Sequence, residues 1–140
     1  MRVNDDHVTV NAEAQTQPGT PSVYHFWQSL LKLRRENVKT FIYGGYELVS
    51  EGHEDVFGFV RTAEDGERWV SLLNFTGRET EWVVPGGLEG VRWVVGNYCH
   101  GTDDAVGDGQ RQGVEVVGGA GTGVVKLRPW EGVLGRLVGE

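Results

Sequence analysis

The sequence has a single cysteine, Cys99. One thiol can form neither an internal disulfide nor a cysteine metal cage, so nothing argues for an oxidising, secreted setting. Positive charge is also scarce: 13 Lys and Arg stand against 20 Asp and Glu, for a net charge of -7 and a pI near 5.1. Phosphate backbones attract clusters of Lys and Arg, so no nucleic acid is expected as a partner. No apolar run approaches the roughly 20 residues of a membrane span. The stretch from Met1 to Asp6 lacks the apolar core of a signal peptide. A soluble, cytoplasmic protein with no membrane contact is the expectation. Gly-x-Ser-x-Gly, Walker and dinucleotide fingerprints are absent, and no cofactor is expected.

Glycine is abundant instead, at 22 of 140 residues. Most lie in the second half among Val-rich runs, which suggests short strands joined by turns. Residues 1–19 show no clear periodicity and read as an extended arm that needs a surface to lie on. One helix follows within residues 20–37. Thr20 is its expected N-cap and Pro21 its first residue, where a missing N–H costs nothing. Val23, Phe26, Trp27, Leu30, Leu31 and Leu33 recur at three- and four-residue spacing and share one broad face. Lys32, Arg34 and Arg35 suit the negative end of the helix dipole, and Asn37 is the expected stop.

From Phe41 the period changes to that of strands. Phe41 to Ser50 is β-rich but broken by Gly44 and Gly45. From Asp55 to Arg61, Val56, Gly58 and Val60 face one side and Phe57 and Phe59 the other. Asp65-Gly66 predicts a tight two-residue primed turn into Arg68 to Phe75, the most apolar and so the central strand. Glu79 to Val84, Val91 to Tyr98, Thr122 to Arg128 and Val133 to Val138 complete the set. Residues 99–123 form a Gly-rich loop with one apolar patch, Val114 to Val117. Seven or eight short strands at this spacing predict an antiparallel β-sandwich of Greek-key type.

Candidate sites are few. Cys99, His100, Asp103 and Asp104 hint at a metal, but a zinc site needs four ligands at fixed spacings, and a polar loop is the favoured reading. His7, His25 and His53 are scattered without a partner pattern. Asn74-Phe75-Thr76 matches a glycosylation sequon, yet it ends the expected central strand. Glycosidases need two facing carboxyls on rigid elements, and here the acids sit mostly in turns and at strand ends. No catalytic, cofactor-binding or metal-binding residue is nominated. Trp69, Trp82, Trp93 and Trp130 are read as core, with stacking on sugar rings the alternative.

The linear order of several phrases resembles the C-terminal end of maltases, isomaltases and oligo-1,6-glucosidases, the α-glucosidases of glycoside hydrolase family 13. Arg2-Val3-Asn4-Asp5-Asp6 and Val10-Asn11-Ala12-Glu13-Ala14-Gln15 resemble the arm before the last barrel helix. Ser22-Val23-Tyr24-His25-Phe26-Trp27 and Leu33-Arg34-Arg35-Glu36-Asn37 resemble that helix. Tyr43-Gly44, Tyr46-Glu47-Leu48, Val56 to Arg61 and Leu73-Asn74-Phe75-Thr76-Gly77 resemble the β-domain. Gly96-Asn97-Tyr98 and Leu127-Arg128-Pro129-Trp130-Glu131-Gly132 resemble its end. The link between those last two phrases is longer than is usual in the family.

This resemblance implies an α-glucosidase whose (β/α)8 barrel carries an Asp nucleophile, a Glu acid/base and a stabilising Asp. All three fall on strands outside this chain, so the chain alone is expected to be structural and non-catalytic. It implies the last barrel helix at 20–37 and a C-terminal sandwich at 38–140. The expected partner is the barrel, with self-association through the exposed helix face as a further expectation. The alternatives are a stand-alone carbohydrate-binding module, and a non-enzymatic subunit that pairs with a barrel from another chain. The helix argues against the module, which has no need of it.

Overall fold

The computed structural model describes residues 4–18, 22–88, 90–98, 115–117 and 123–138. The chain is mainly β. Three helices, α1 (Ala12–Gln15), α2 (Val23–Glu36) and α3 (Val38–Phe41), precede eight strands. These are β1 (Gly45–Leu48), β2 (Val56–Thr62), β3 (Arg68–Asn74), β4 (Thr80–Val83), β5 (Val91–Gly96), β6 (Glu115–Val117), β7 (Val124–Leu127) and β8 (Gly132–Leu137).

All strand pairs are antiparallel, in one sheet of order β1-β2-β3-β8-β5 and a second of order β4-β7-β6. As expected, β3 is central. The alternation within β2 also holds: Val56, Gly58 and Val60 are buried, and Phe57 and Phe59 face outward. Val56, Val60, Val70, Leu72 and Val133 from the larger sheet meet Trp82, Val125 and Leu127 from the smaller one. Leu88, between β4 and β5, closes the same core. In β8 the missing side chain of Gly135 makes room for a neighbour. A Cβ there would sit 2.9 Å from the Trp93 ring and would also strike Val91.

Four local expectations are corrected. The arm is not extended: a 3-10 turn at Asp5–Val8 and α1 both form, because Asn4 and Asn11 each cap a turn by accepting from a backbone N–H two or three residues on. The helix begins two residues later than expected. Ser22 is the cap, accepting from the His25 N–H at 3.2 Å, while Thr20 and Pro21 lie outside the described residues. Val38–Phe41 is helical, although Phe41 was expected to open a strand. Its fold is set by distant partners: Phe41 stacks on Trp69 at 5.1 Å, and Arg61 donates to the Thr40 and Phe41 carbonyls. The β2–β3 connection is not a two-residue primed turn. Gly66 N–H donates to Ala63 O and Ala63 N–H to Glu67 O, and Gly66 has φ +86° while Glu64 and Asp65 stay at negative φ. That is a type I turn closed by a glycine bulge.

Candidate functional site

The side chains singled out as possible chemistry are occupied by structure. His53 is a local staple. Its Nδ1 accepts from the Asp55 and Val56 backbone N–H groups at 3.2 and 3.1 Å. Its Nε2 lies 3.1 Å from the Glu81 carbonyl, so the ring is held as the Nε2–H tautomer. His25 bonds the Ser22 hydroxyl at 3.0 Å, and His7 bonds the Asn4 carbonyl at 2.9 Å. Asn74 of the sequon is buried. Its amide donates to the Arg78 and Arg128 carbonyls and accepts from both the N–H and the hydroxyl of Thr76. A glycan on Nδ2 would have to compete with the bonds that nitrogen donates to the Arg78 and Arg128 carbonyls. Cys99, His100, Asp103 and Asp104 lie outside the described residues.

Three of the described carboxylates, Asp55, Glu67 and Asp65, are each held by cations or N–H donors. Asp55 pairs with Arg78 at 2.8 Å, and that carboxylate raises the Arg78 pKa above its ordinary value. Glu67 pairs with Arg136 at 2.9 Å and accepts from the Trp69 indole and the Thr40 hydroxyl. Asp65 accepts from the Glu67 N–H and from Lys39, which together hold its carboxyl below the ordinary range. No group of three or more His, Cys, Asp or Glu placed to hold a metal occurs among the described residues. No described helix is long and apolar enough to cross a membrane.

What the fold presents instead is uncovered apolar surface. Helix α2 buries none of its 14 residues. Its stripe divides in two, a refinement of the single broad face expected. Phe26, Leu30 and Leu33 are half-buried, whereas Val23, Trp27 and Leu31 at four-residue spacing stay exposed, Trp27 by 58%. A groove of about 390 Å³ separates the helix from the outer face of the larger sheet. Leu30, Leu33 and Arg34 line one wall, and Tyr46, Phe59 and Arg61 line the other. On that sheet face Tyr46, Phe59 and Phe57 form a ladder with ring centroids 5.4 and 5.6 Å apart.

The four sandwich tryptophans divide as well. Trp69 and Trp82 are 3% exposed, and Trp93 is packed against the core. Trp130 is 61% exposed and sits at φ +58°, the one non-glycine residue among those described with positive φ. Such a backbone costs about 1–3 kcal/mol and persists only when its surroundings impose it. Here they do. Trp130 N–H donates to Thr76 O at 3.0 Å, and its carbonyl accepts from the Asn97 amide at 2.8 Å. Glu131, buried beside it, accepts from the Arg128 N–H at 2.7 Å and lies 3.4 Å from the Arg128 guanidinium. Sequence reasoning placed Trp130 with the core tryptophans. The Pro-Trp-Glu-Gly tetrad, a turn in itself, is the signal that pointed outward.

No family model matches the chain. It is 35% identical over 99 residues to the α-glucosidase of Schizosaccharomyces pombe, covering 70% of this chain and 17% of that protein. It is 39% identical over 75 residues to the probable oligo-1,6-glucosidase 3 of Bacillus subtilis, covering 54% of this chain and 13% of that one. The fold matches part of the crystal structure of the trehalulose synthase MutB from Pseudomonas mesoacidophila MX-45. The TM-score is 0.71 at 22% identity, over 97% of this chain and 21% of the enzyme. The chain thus spans less than a fifth of the length of these curated relatives.

Proposed function

We propose, for a chain related to the α-glucosidases and oligo-1,6-glucosidases of glycoside hydrolase family 13, that it is the C-terminal portion of such an enzyme and serves as scaffold rather than as catalyst. The parent activity in this reading is hydrolysis of terminal α-linked glucose from maltose- or isomaltose-type oligosaccharides, in the cytoplasm. A retaining hydrolysis needs two carboxyls about 5 Å apart, one as nucleophile and one as acid/base. In this reading both belong to a (β/α)8 barrel whose active face lies at the ends of its strands. Residues 20–37 supply the last barrel helix, and residues 38–140 the sandwich that docks beside it.

The observation that carries the reading is α2 itself. An amphipathic helix in water gains its stability from covering its apolar face. Here Val23, Trp27 and Leu31 point away from the sandwich. A barrel would cover them.

The test is a split enzyme. The barrel segment of the Schizosaccharomyces pombe α-glucosidase, ending before the matching region, is mixed with this chain, and hydrolysis of an aryl α-glucoside is followed. Each part alone should be inactive, and the mixture active. The Trp27→Glu/Leu31→Lys variant should fail to associate. Turnover by this chain alone, lost on replacing one of its own acids, would overturn the reading. So would a barrel that ignores the chain.

A further inference from the structure

We propose that Trp130 is a carbohydrate-stacking platform: an exposed indole, clamped at the rim of the sandwich, that takes the apolar C–H face of a glucopyranose ring in an α-linked oligosaccharide. The choice of glucose rests on the functional reading above; the stacking rests on geometry alone. Aromatic side chains that bind sugars need an open ring and little motion, because each immobilised rotamer subtracts from weak binding. Trp130 meets both needs. Its ring is exposed, and the Nε1 side of the indole rests against Gly77, where a Cβ would lie 3.7 Å from Nε1.

The clamp comes from three segments of the chain. Thr76 holds the Trp130 N–H, Asn97 holds its carbonyl, and the Asn97 side-chain oxygen also accepts from the Gly132 N–H at 3.0 Å. Beside it, the Tyr98 hydroxyl donates to the Pro129 carbonyl at 2.6 Å, and the Arg128 guanidinium lies 4.7 Å from the Tyr98 ring centroid. Packing against the described residues does not explain a tryptophan here, since more than half of it is in water. The turn does not explain it either, because a left-handed backbone favours glycine. A ring held outward at a backbone cost has its use on the outside.

The experiment is a titration of the 140-residue chain with maltotriose, isomaltotriose and cellotriose, with affinity read by calorimetry in every variant and the site by the indole N–H signals of its five tryptophans. It is run on the wild type and in the Trp27→Glu/Leu31→Lys background, which removes self-association. The Trp130 signal should shift saturably with the α-linked sugars and less with cellotriose. Trp130→Gly should weaken binding about tenfold, the scale of one lost stacking contact. The unshifted signals of Trp69, Trp82 and Trp93 report that the fold is kept. Trp130→Tyr, which keeps an aromatic face, should retain most of the affinity. An unmoved Trp130 signal at high sugar, or equal affinity in Trp130→Gly, would overturn the proposal. If Trp130→Gly instead abolishes association with the barrel segment, Trp130 is an interdomain contact; the platform is then refuted while the scaffold reading stands.

Discussion

Gly66 offers a clean measure of how the β2–β3 hairpin is held. It lies at φ +86°, and a Cβ built there meets nothing within 4 Å. Gly66→Val therefore tests the backbone alone, with no clash to confuse the result. A left-handed conformation costs an L-residue about 1–2 kcal/mol. Removing glycine's freedom from the unfolded chain returns about 0.4–1 kcal/mol. The net loss should be about 1 kcal/mol. For a chain of this size that is a fall in Tm of roughly 3–5 °C, read by thermal unfolding followed by circular dichroism. Gly66→Asn should lose less, because asparagine tolerates the left-handed region. The turn type adds a second arm. In a type I turn Glu64 is the position that favours proline, so Glu64→Pro should be neutral or stabilising. In a primed two-residue turn Asp65 would carry positive φ. Its replacement by Gly would then relieve strain and stabilise the hairpin, whereas in the type I turn the same change costs stability. An unchanged midpoint for Gly66→Val would refute the argument, as would a gain of stability in Asp65→Gly.

Leu72 is fully buried at the centre of the core, so Leu72→Ala should cost about 2–5 kcal/mol in urea unfolding. By light scattering the chain is expected to self-associate, and Trp27→Glu/Leu31→Lys to be a monomer whose sandwich keeps its unfolding midpoint. Loss of the sandwich instead would mean that the stripe faces it. The Asp65 carboxyl is held below its ordinary value by the Glu67 N–H and then by Lys39. Its contribution is thus complete above about pH 3.9 and is lost as pH falls through the lowered folded value. Asp65→Asn should flatten stability in that acid window, with a small loss at neutral pH that vanishes once pH falls below the lowered folded value.

The sequence pattern made the sandwich legible because β-strands write burial with a period of two. Val56, Gly58 and Val60 against Phe57 and Phe59 is such a record, and the apolar run Trp69–Leu73 marks the strand with neighbours on both sides. What it did not show depends on contacts far along the chain. Thr40 and Phe41 are β-branched and aromatic, as strand residues often are, yet they fold as a helical turn. Phe41 meets Trp69 there, and Thr40 donates to Glu67, 27 residues on. The dipeptide Asp65-Gly66 serves both a primed turn and a glycine bulge, so only the Ala63–Glu67 bonds distinguish them. At the last turn a left-handed φ would cost Gly132 least. Gly132 is needed instead where a Cβ would lie 2.8 Å from Leu73, and Trp130 takes the strain.

The two halves of the molecule stand on different physical footing. The sandwich has a core of its own, in which each fully buried Val, Leu or Trp side chain contributes roughly 1.5–3 kcal/mol or more. Helix α2 has no fully buried residue to set against the entropy of ordering 14 positions. An isolated helix of about that length is marginal in water even with good helix formers. Its Ser22 cap and the basic last turn, Arg34 and Arg35, help by a kcal/mol or so each at most. The half-buried row Phe26, Leu30 and Leu33 gives partial cover. The exposed row Val23, Trp27 and Leu31 gives none until something covers it. A sequence that keeps Trp and Leu on that row keeps a cost in water, and that cost turns into binding energy only against an apolar partner surface. The helix is thus the part of this chain whose stability depends on association, and the sandwich is the part that holds it in place to associate.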